Sequence, residues 1–165
     1  MNFQKLLEKL NAERQQTSPE TLLAIDPGET TGYAIYKNGK IICEEIQVGL
    51  HNLKQIWDLI DSCKLDVVVC EDYIIYGSKA KMHAWNKLVT PQIIGAIRLS
   101  CELLKVPLYM QMASTAKGFC NDTKLKEWGF WIKGHDHSRD AIRHVIYFLL
   151  FHNERKMKNE FYSRK

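Results

Sequence analysis

The sequence predicts one α/β domain built on a mixed five-stranded sheet flanked by helices, with an extra N-terminal helix. Three observations lead there. Two extended runs joined by Asn38-Gly39 open the chain as an antiparallel meander, because both turn residues tolerate the positive φ of a type I′ turn. The run Leu65 to Cys70 (LDVVVC) is short, nearly all apolar and β-branched, as in strands covered on both faces. Helical periodicities separate the later strands, so those strands join by crossovers and pair in parallel. With 165 residues, 45% of them hydrophobic and 25% charged, the chain is long enough for one sizeable core and too short for two ordinary domains.

Taken in order, residues 1–16 place Phe3, Leu6, Leu7 and Leu10 at helical spacing, and Thr17-Ser18-Pro19 breaks the pattern. Residues 1–20 are therefore expected to form an accessory helix and linker. Thr21 to Asp26 (TLLAID) reads as a buried strand, Pro27-Gly28 as a turn, residues 32–37 as the second strand and 40–48 as the third. Residues 50–63 carry Leu53, Ile56, Trp57 and Ile60 on one helical face. After the strand at 65–70 and a polar, aromatic loop, residues 85–105 read as a helix and 106–110 as a last strand opened by Pro107. A looser Lys- and Trp-rich segment follows. From Asp136 to about residue 156, Ile142, Val145, Ile146, Leu149 and Leu150 describe a final helix with a broad apolar face. The main domain thus spans 21–153, and 154–165 is a basic tail with Arg155, Lys156, Lys158, Arg164 and Lys165 against Glu154 and Glu160.

Composition narrows the function classes. No apolar run approaches the ~20 residues of a membrane span, and the first residues are charged rather than signal-like, so a soluble, cytoplasmic protein without a membrane partner is expected. The five cysteines (Cys43, Cys63, Cys70, Cys101, Cys120) are scattered and never in a Cys-x-x-Cys pattern, which signals neither a disulfide framework nor a zinc ribbon. A net charge of +4, with the basic tail, suits an anionic partner and equally suits a solvated helix end.

Chemistry gathers at the ends of elements. Asp26 closes an apolar strand before a Pro-Gly turn, and Glu71 closes VVVC; either alone reads as a turn or a strand end meeting water. Together, two neighbouring strands each ending in a carboxylate hold like charges close, which is costly without a cation. A third source is His135-Asp136-His137-Ser138-Arg139-Asp140-Ala141, where His137 and Asp140 share a helical face and Ala141 allows close approach to the sheet. Asp136 is placed to be the N-cap, and Asp140 is placed either for this site or for pairing with Arg143 or His144.

The element order matches the RNase H-like fold. The segments AIDPGETTGYAIY, VVVCED and HDHSRDAIRH, in this order and spacing, resemble the signature segments of RuvC-type Holliday junction resolvases, the phage-encoded branch in particular, over about Leu22 to Leu150. The resemblance implies an endodeoxyribonuclease that cuts four-way or other branched DNA in recombination and repair, in a bacterial cell or a phage-infected host. It implies metal ligation by Asp26, Glu71, His137 and Asp140, with Asp136 as the substitute where relatives carry Asp at the His137 position. Hard-ion chemistry makes Mg2+ the expected cofactor, two ions per site, with Mn2+ able to replace it because imidazole suits transition metals. Lys117, in Ser-Thr-Ala-Lys-Gly, matches a basic residue that the family sets near the scissile phosphate. The loop 72–86 interleaves Tyr73, Tyr76 and Trp85 with Lys79, Lys81 and His83, a mix of stacking faces and phosphate-seeking charge that also fits rings packed beneath a loop. A near two-fold junction implies a homodimer, for which the helix with Ile93, Ile94, Ile97 and Leu104 is a candidate interface unless those residues are core.

Other readings stay open at this point: a non-catalytic branched-DNA binding module, a zinc site from His135, His137 and His144, and an actin-like ATPase. The last lacks a second glycine-rich phosphate loop, so no nucleotide cofactor is expected.

Overall fold

The computed structural model describes residues 1–15, 17–73 and 88–152. Tyr76, Lys79, Lys81, His83, Trp85 and the basic tail 154–165 lie outside the described residues. The elements run α1 (Phe3–Arg14), β1 (Thr21–Asp26), β2 (Thr30–Lys37), β3 (Lys40–Gln47), α2 (Lys54–Asp61), β4 (Val67–Asp72), α3 (Val89–Leu104), β5 (Leu108–Met112), α4 (Ala113–Phe119), α5 (Asp122–Glu127) and α6 (Asp136–Phe151). They form the expected mixed five-stranded sheet, in the order β3-β2-β1-β4-β5. β1, β2 and β3 pair antiparallel, whereas β4 pairs in parallel with β1 on one side and β5 on the other. Asn38 (φ 49°) and Gly39 (φ 81°) turn β2 into β3 with both residues at positive φ, as the hairpin reading requires.

Strand alternation sorts the core into two layers. Leu22 and Ala24 of β1, with Val67 and Val69 of β4, face α1, α5 and α6; their neighbours Leu23, Ile25, Val68 and Cys70 face α2 and α3. The N-terminal helix belongs to the first layer, since Phe3 and Leu7 are buried there and Phe3 packs edge-on against Phe130 at 5.6 Å between centroids. Asn2 caps that helix by accepting from the Lys5 N–H at 2.9 Å, and Arg14 donates to the Leu150 carbonyl at 2.6 Å, tying α1 to the end of α6.

Several boundaries differ from the sequence expectation for identifiable reasons. β4 runs through Glu71 to Asp72, because those residues pair with Gln111 and Met112. β5 starts at Leu108 rather than 106: Pro107 has no N–H to give, although its carbonyl accepts from Val68 at 2.8 Å. The loose segment folds into two short helices, α4 and α5, the second capped by Asn121 accepting from Lys124 at 3.0 Å. Asp136 is not the N-cap of α6. His135 holds that place without a side-chain bond, and Asp136 sits in the first turn, paired with Arg139. The α6 amides are met from the sheet instead: Glu45 of β3 accepts from the N–H groups of His137 (3.1 Å) and Ser138 (3.2 Å). The candidate interface residues Ile93, Ile94 and Ile97 are buried core, with Leu104 packed against them; the exposed apolar residues of α3 are Leu99 and Leu103.

The register of the five strands aligns polar residues of the sheet in one line. Glu45 pairs with Gly32, Gly32 with Asp26, and Glu71 with Gln111, while the parallel register of Ile25 with Cys70, carried one step on, sets Asp26 level with Glu71. Five residues from five strands therefore form a transverse row beneath the first turns of α6. Gly32 lets the helix come down on it. A Cβ there would meet the His137 carbonyl carbon at 2.1 Å and the Ser138 nitrogen at 2.5 Å, so helix backbone rests on strand backbone.

Candidate active site

Of the three acids in the row, Glu45 is taken up by the α6 amides, and Asp26 and Glu71 are joined by Asp140 of α6. Asp26 is nearly buried, and its Oδ2 lies 2.8 Å from His137 Nδ1. Burial first, and then the charges of Glu71 and Asp140, push the Asp26 carboxyl up to about 6 against the opposing hydrogen bond and charge of His137. Three carboxylates therefore feel one another here. Each has a basic partner: Asp26 has His137; Glu71 Oε2 lies 2.9 Å from His144 Nε2; Asp140 Oδ2 lies 2.8 Å from Lys117 Nζ.

Lys117 stands between acids, its ammonium also 3.7 Å from Glu71 Oε2. Burial alone lowers its pKa, but the hydrogen bond to Asp140 and the charges of Glu71, Asp140 and Asp26 outweigh that and raise it, so the side chain stays a cation. Arg143, one turn along α6, pairs with both Asp140 and Asp122 and donates from Nε to the Cys120 carbonyl at 2.8 Å. That clamp fixes α4 and α5, and Lys117 with them, against α6. Behind Glu71, the fully buried His144 turns its other ring nitrogen to Gln111 Oε1 at 2.6 Å.

The structure thus brings Asp26, Glu71, His137, Asp140 and Lys117 together. Of the neighbours Asp136 and His137, it is His137 that reaches Asp26, while Asp136 turns to Arg139. Tyr73, just after β4, is partly buried against the core on the α2 and α3 face. Sequence reasoning missed Gln111, Arg143 as a clamp, Glu45 and Gly32, and it weighed His144 only as a partner for Asp140 or a zinc ligand. His144 did carry a signal, since it lies four residues after Asp140 on the same helical face.

Among the described residues, no three His, Cys, Asp or Glu side chains are grouped closely enough to hold a metal ion as they stand, and the trio His135, His137 and His144 does not assemble: His135 faces Glu45 at 3.8 Å. The donor set nonetheless suits a hard divalent cation by its chemistry. Three carboxylates meet over the middle of the sheet row, one is held protonated to about pH 6 by burial and its acidic neighbours, and an ammonium already serves as counter-ion between the other two.

No model of a known protein family matches the chain, and no curated protein sequence does. Solved structures do match. RuvC of T. thermophilus in complex with a Holliday junction substrate aligns with a TM-score of 0.58 at 13% identity, covering 79% of this chain and 93% of that one. The yeast mitochondrial Holliday junction resolvase Ydc2 gives 0.51 at 12% identity, covering 95% and 90%. The fowlpox virus Holliday junction resolvase gives 0.50 at 13% identity, covering 78% and 96%. At these identities the likeness establishes the fold: RNase H-like, in the arrangement of the RuvC-type resolvases.

Proposed function

We propose that this chain is a metal-dependent endonuclease that cuts branched DNA, four-way junctions above all, by phosphodiester hydrolysis. The observation that carries the proposal is the convergence of Asp26, Glu71 and Asp140, with Lys117 between two of them, at the middle of the sheet row of a fold shared with Holliday junction resolvases.

Asp26, Glu71 and Asp140 would hold the Mg2+ ions, two per site, with His137 as a further ligand or the group that orients water; Mn2+ would substitute. The chemistry supplied by ions so held is activation of the attacking water and stabilisation of the leaving oxygen. The protein's own groups do the rest. The buried strand ends keep the carboxylates at fixed spacing. Lys117 can turn from its acids to a phosphate oxygen, which exchanges one anionic partner for another at little electrostatic cost. His137, half exposed at the mouth, hydrogen-bonds Asp26 and is positioned to take or give a proton at Nδ1.

Branched DNA would be gripped by Lys117, Lys79 and Lys81 through phosphates and by Tyr73 and Tyr76 through stacking, Tyr73 only after leaving its packing against the core. Paired cuts at a two-fold junction call for two copies of the chain. That action would take place on DNA in the cytoplasm of a bacterial or phage-infected cell; separately, among the described residues no helix is long and apolar enough to cross a membrane. The test is a Mg2+-dependent cleavage assay on junction, flap and plain duplex DNA. Asp26→Asn and Asp140→Asn should bind the junction and leave it intact. Undiminished cutting by either variant overturns the assignment, and junction binding by the wild type without any cutting reduces the chain to a binding module.

A further inference from the structure

Behind the acids lies a group that the proposed chemistry does not use. His144 is fully buried, and its two ring nitrogens face two oxygens, Glu71 Oε2 at 2.9 Å and Gln111 Oε1 at 2.6 Å. Gln111 is itself nearly buried and pairs in register with Glu71, so the His144 ring of α6 joins the side chains of two neighbouring strands, β4 and β5. The Gln111 Nε2 is buried and has no hydrogen-bond partner among the described residues. A half-turn of that amide would set its NH2 on His144 Nδ1, pair the orphaned donor, and leave the single proton of a neutral ring on Nε2. Facing a carboxylate oxygen, Nε2 is the ring nitrogen that donates to Glu71.

Glu71 cannot swing freely. Its Oε2 accepts from His144 and lies near Lys117, while among the described residues no hydrogen bond is made to its Oε1. A carboxylate anchored by one oxygen presents the other in a fixed direction. Imidazole behind a carboxylate is one of the ways a protein orients a ligand and tunes its basicity, and losing such a partner costs 10–100-fold in affinity or activity.

We propose that His144, itself held by Gln111, is the positioning residue for Glu71: it locks the carboxylate so that one oxygen is directed at the divalent cation. The inference rests on the metal-dependent reading of the site and assigns the His144–Gln111 pair a part in ion affinity rather than in contact with DNA.

The experiment is calorimetric titration of the full-length protein with Mn2+ in the absence of DNA, with melting temperatures recorded in parallel. His144→Ala should weaken Mn2+ binding about 10–100-fold. His144→Gln, whose amide NH2 reaches about as far as Nε2, should recover most of that loss. Gln111→Met, close in volume but unable to hold the ring, should weaken binding several-fold. Junction binding without metal should be unchanged in all three. A His144→Ala protein that melts like the wild type and keeps Mn2+ affinity within two-fold overturns the proposal and leaves the nuclease reading standing. If His144→Ala does not fold, Gln111→Met decides in its place, and affinity equal to the wild type's overturns the proposal. A wild type that binds no Mn2+ overturns the nuclease reading and this proposal with it, an outcome distinct from either of the others.

Discussion

The two faces of the sheet are made from the same strands with the same alternation, yet they end differently. On the α2 and α3 side, Leu23 and Ile25 run beside Val68 and Cys70, apolar to the last residue. On the α6 side, Leu22 and Ala24 run beside Val67 and Val69 and then give way, at one row, to Asp26 and Glu71. A single step along each strand thus separates residues whose work is burial from residues whose work is charge. One face can be perturbed for stability with the chemistry untouched, and the other for chemistry at a gain in stability.

The harshest way to break this division is Gly32→Val, where a side chain would have to enter the backbone of His137 and Ser138. A loss of several kcal/mol is expected, with α6 lifted from the row, read as a collapsed urea midpoint together with absent cleavage. On the apolar face, Ile25→Ala should cost about 2–5 kcal/mol in denaturation while the cleavage rate per folded molecule stays near wild type. A rate falling in step with stability would show that the faces are not independent.

Asp26→Asn should do the opposite. The folded carboxyl titrates near 6 against an unfolded value of 3.8, so its contribution to stability is full below pH 3.8 and is lost as pH rises through 6. In chelator at pH 7–8 the neutral amide should therefore be more stable than the wild type, by up to about 3 kcal/mol from a shift of that size. The advantage should fade below pH 4, and thermal melts across pH 3.5 to 8 measure it. The same titration implies that Mn2+ affinity of the wild type drops below about pH 6, where a proton must be displaced. The smallest effect expected is for Glu45→Ala, which removes the acceptor for two α6 amides: about 1 kcal/mol in melting, with cleavage reduced only to the extent that His137 is displaced.

This contrast also explains what the sequence could reveal. β1 was legible residue for residue from its apolar run and the Pro27-Gly28 turn, and Asn38-Gly39 announced the hairpin. Asp26 and Glu71 stood out because each interrupts apolar sequence at a strand end. α4 and α5 were not legible. Helices of 7 and 6 residues have little intrinsic stability and form because Cys120, Leu125 and Trp128 pack into the core layer of α1 and α6, contacts that periodicity in a short window does not encode. Gln111 and His144 escaped for another reason. Their pairing depends on the register of β5 beside β4 and on the seat of α6 across both, so it exists only once three distant segments have met.

The bare contact at Gly32 has a wider consequence. Where elements touch through side chains, their separation can be retuned by swapping one rotamer or residue for another; where peptide planes touch, no such adjustment exists. The gap between the helix that bears His137 and Asp140 and the strands that bear Asp26 and Glu71 is therefore a constant of the architecture. In this chain a change in what the site accepts would have to come from the groups rimming that gap, because its width is not available for revision.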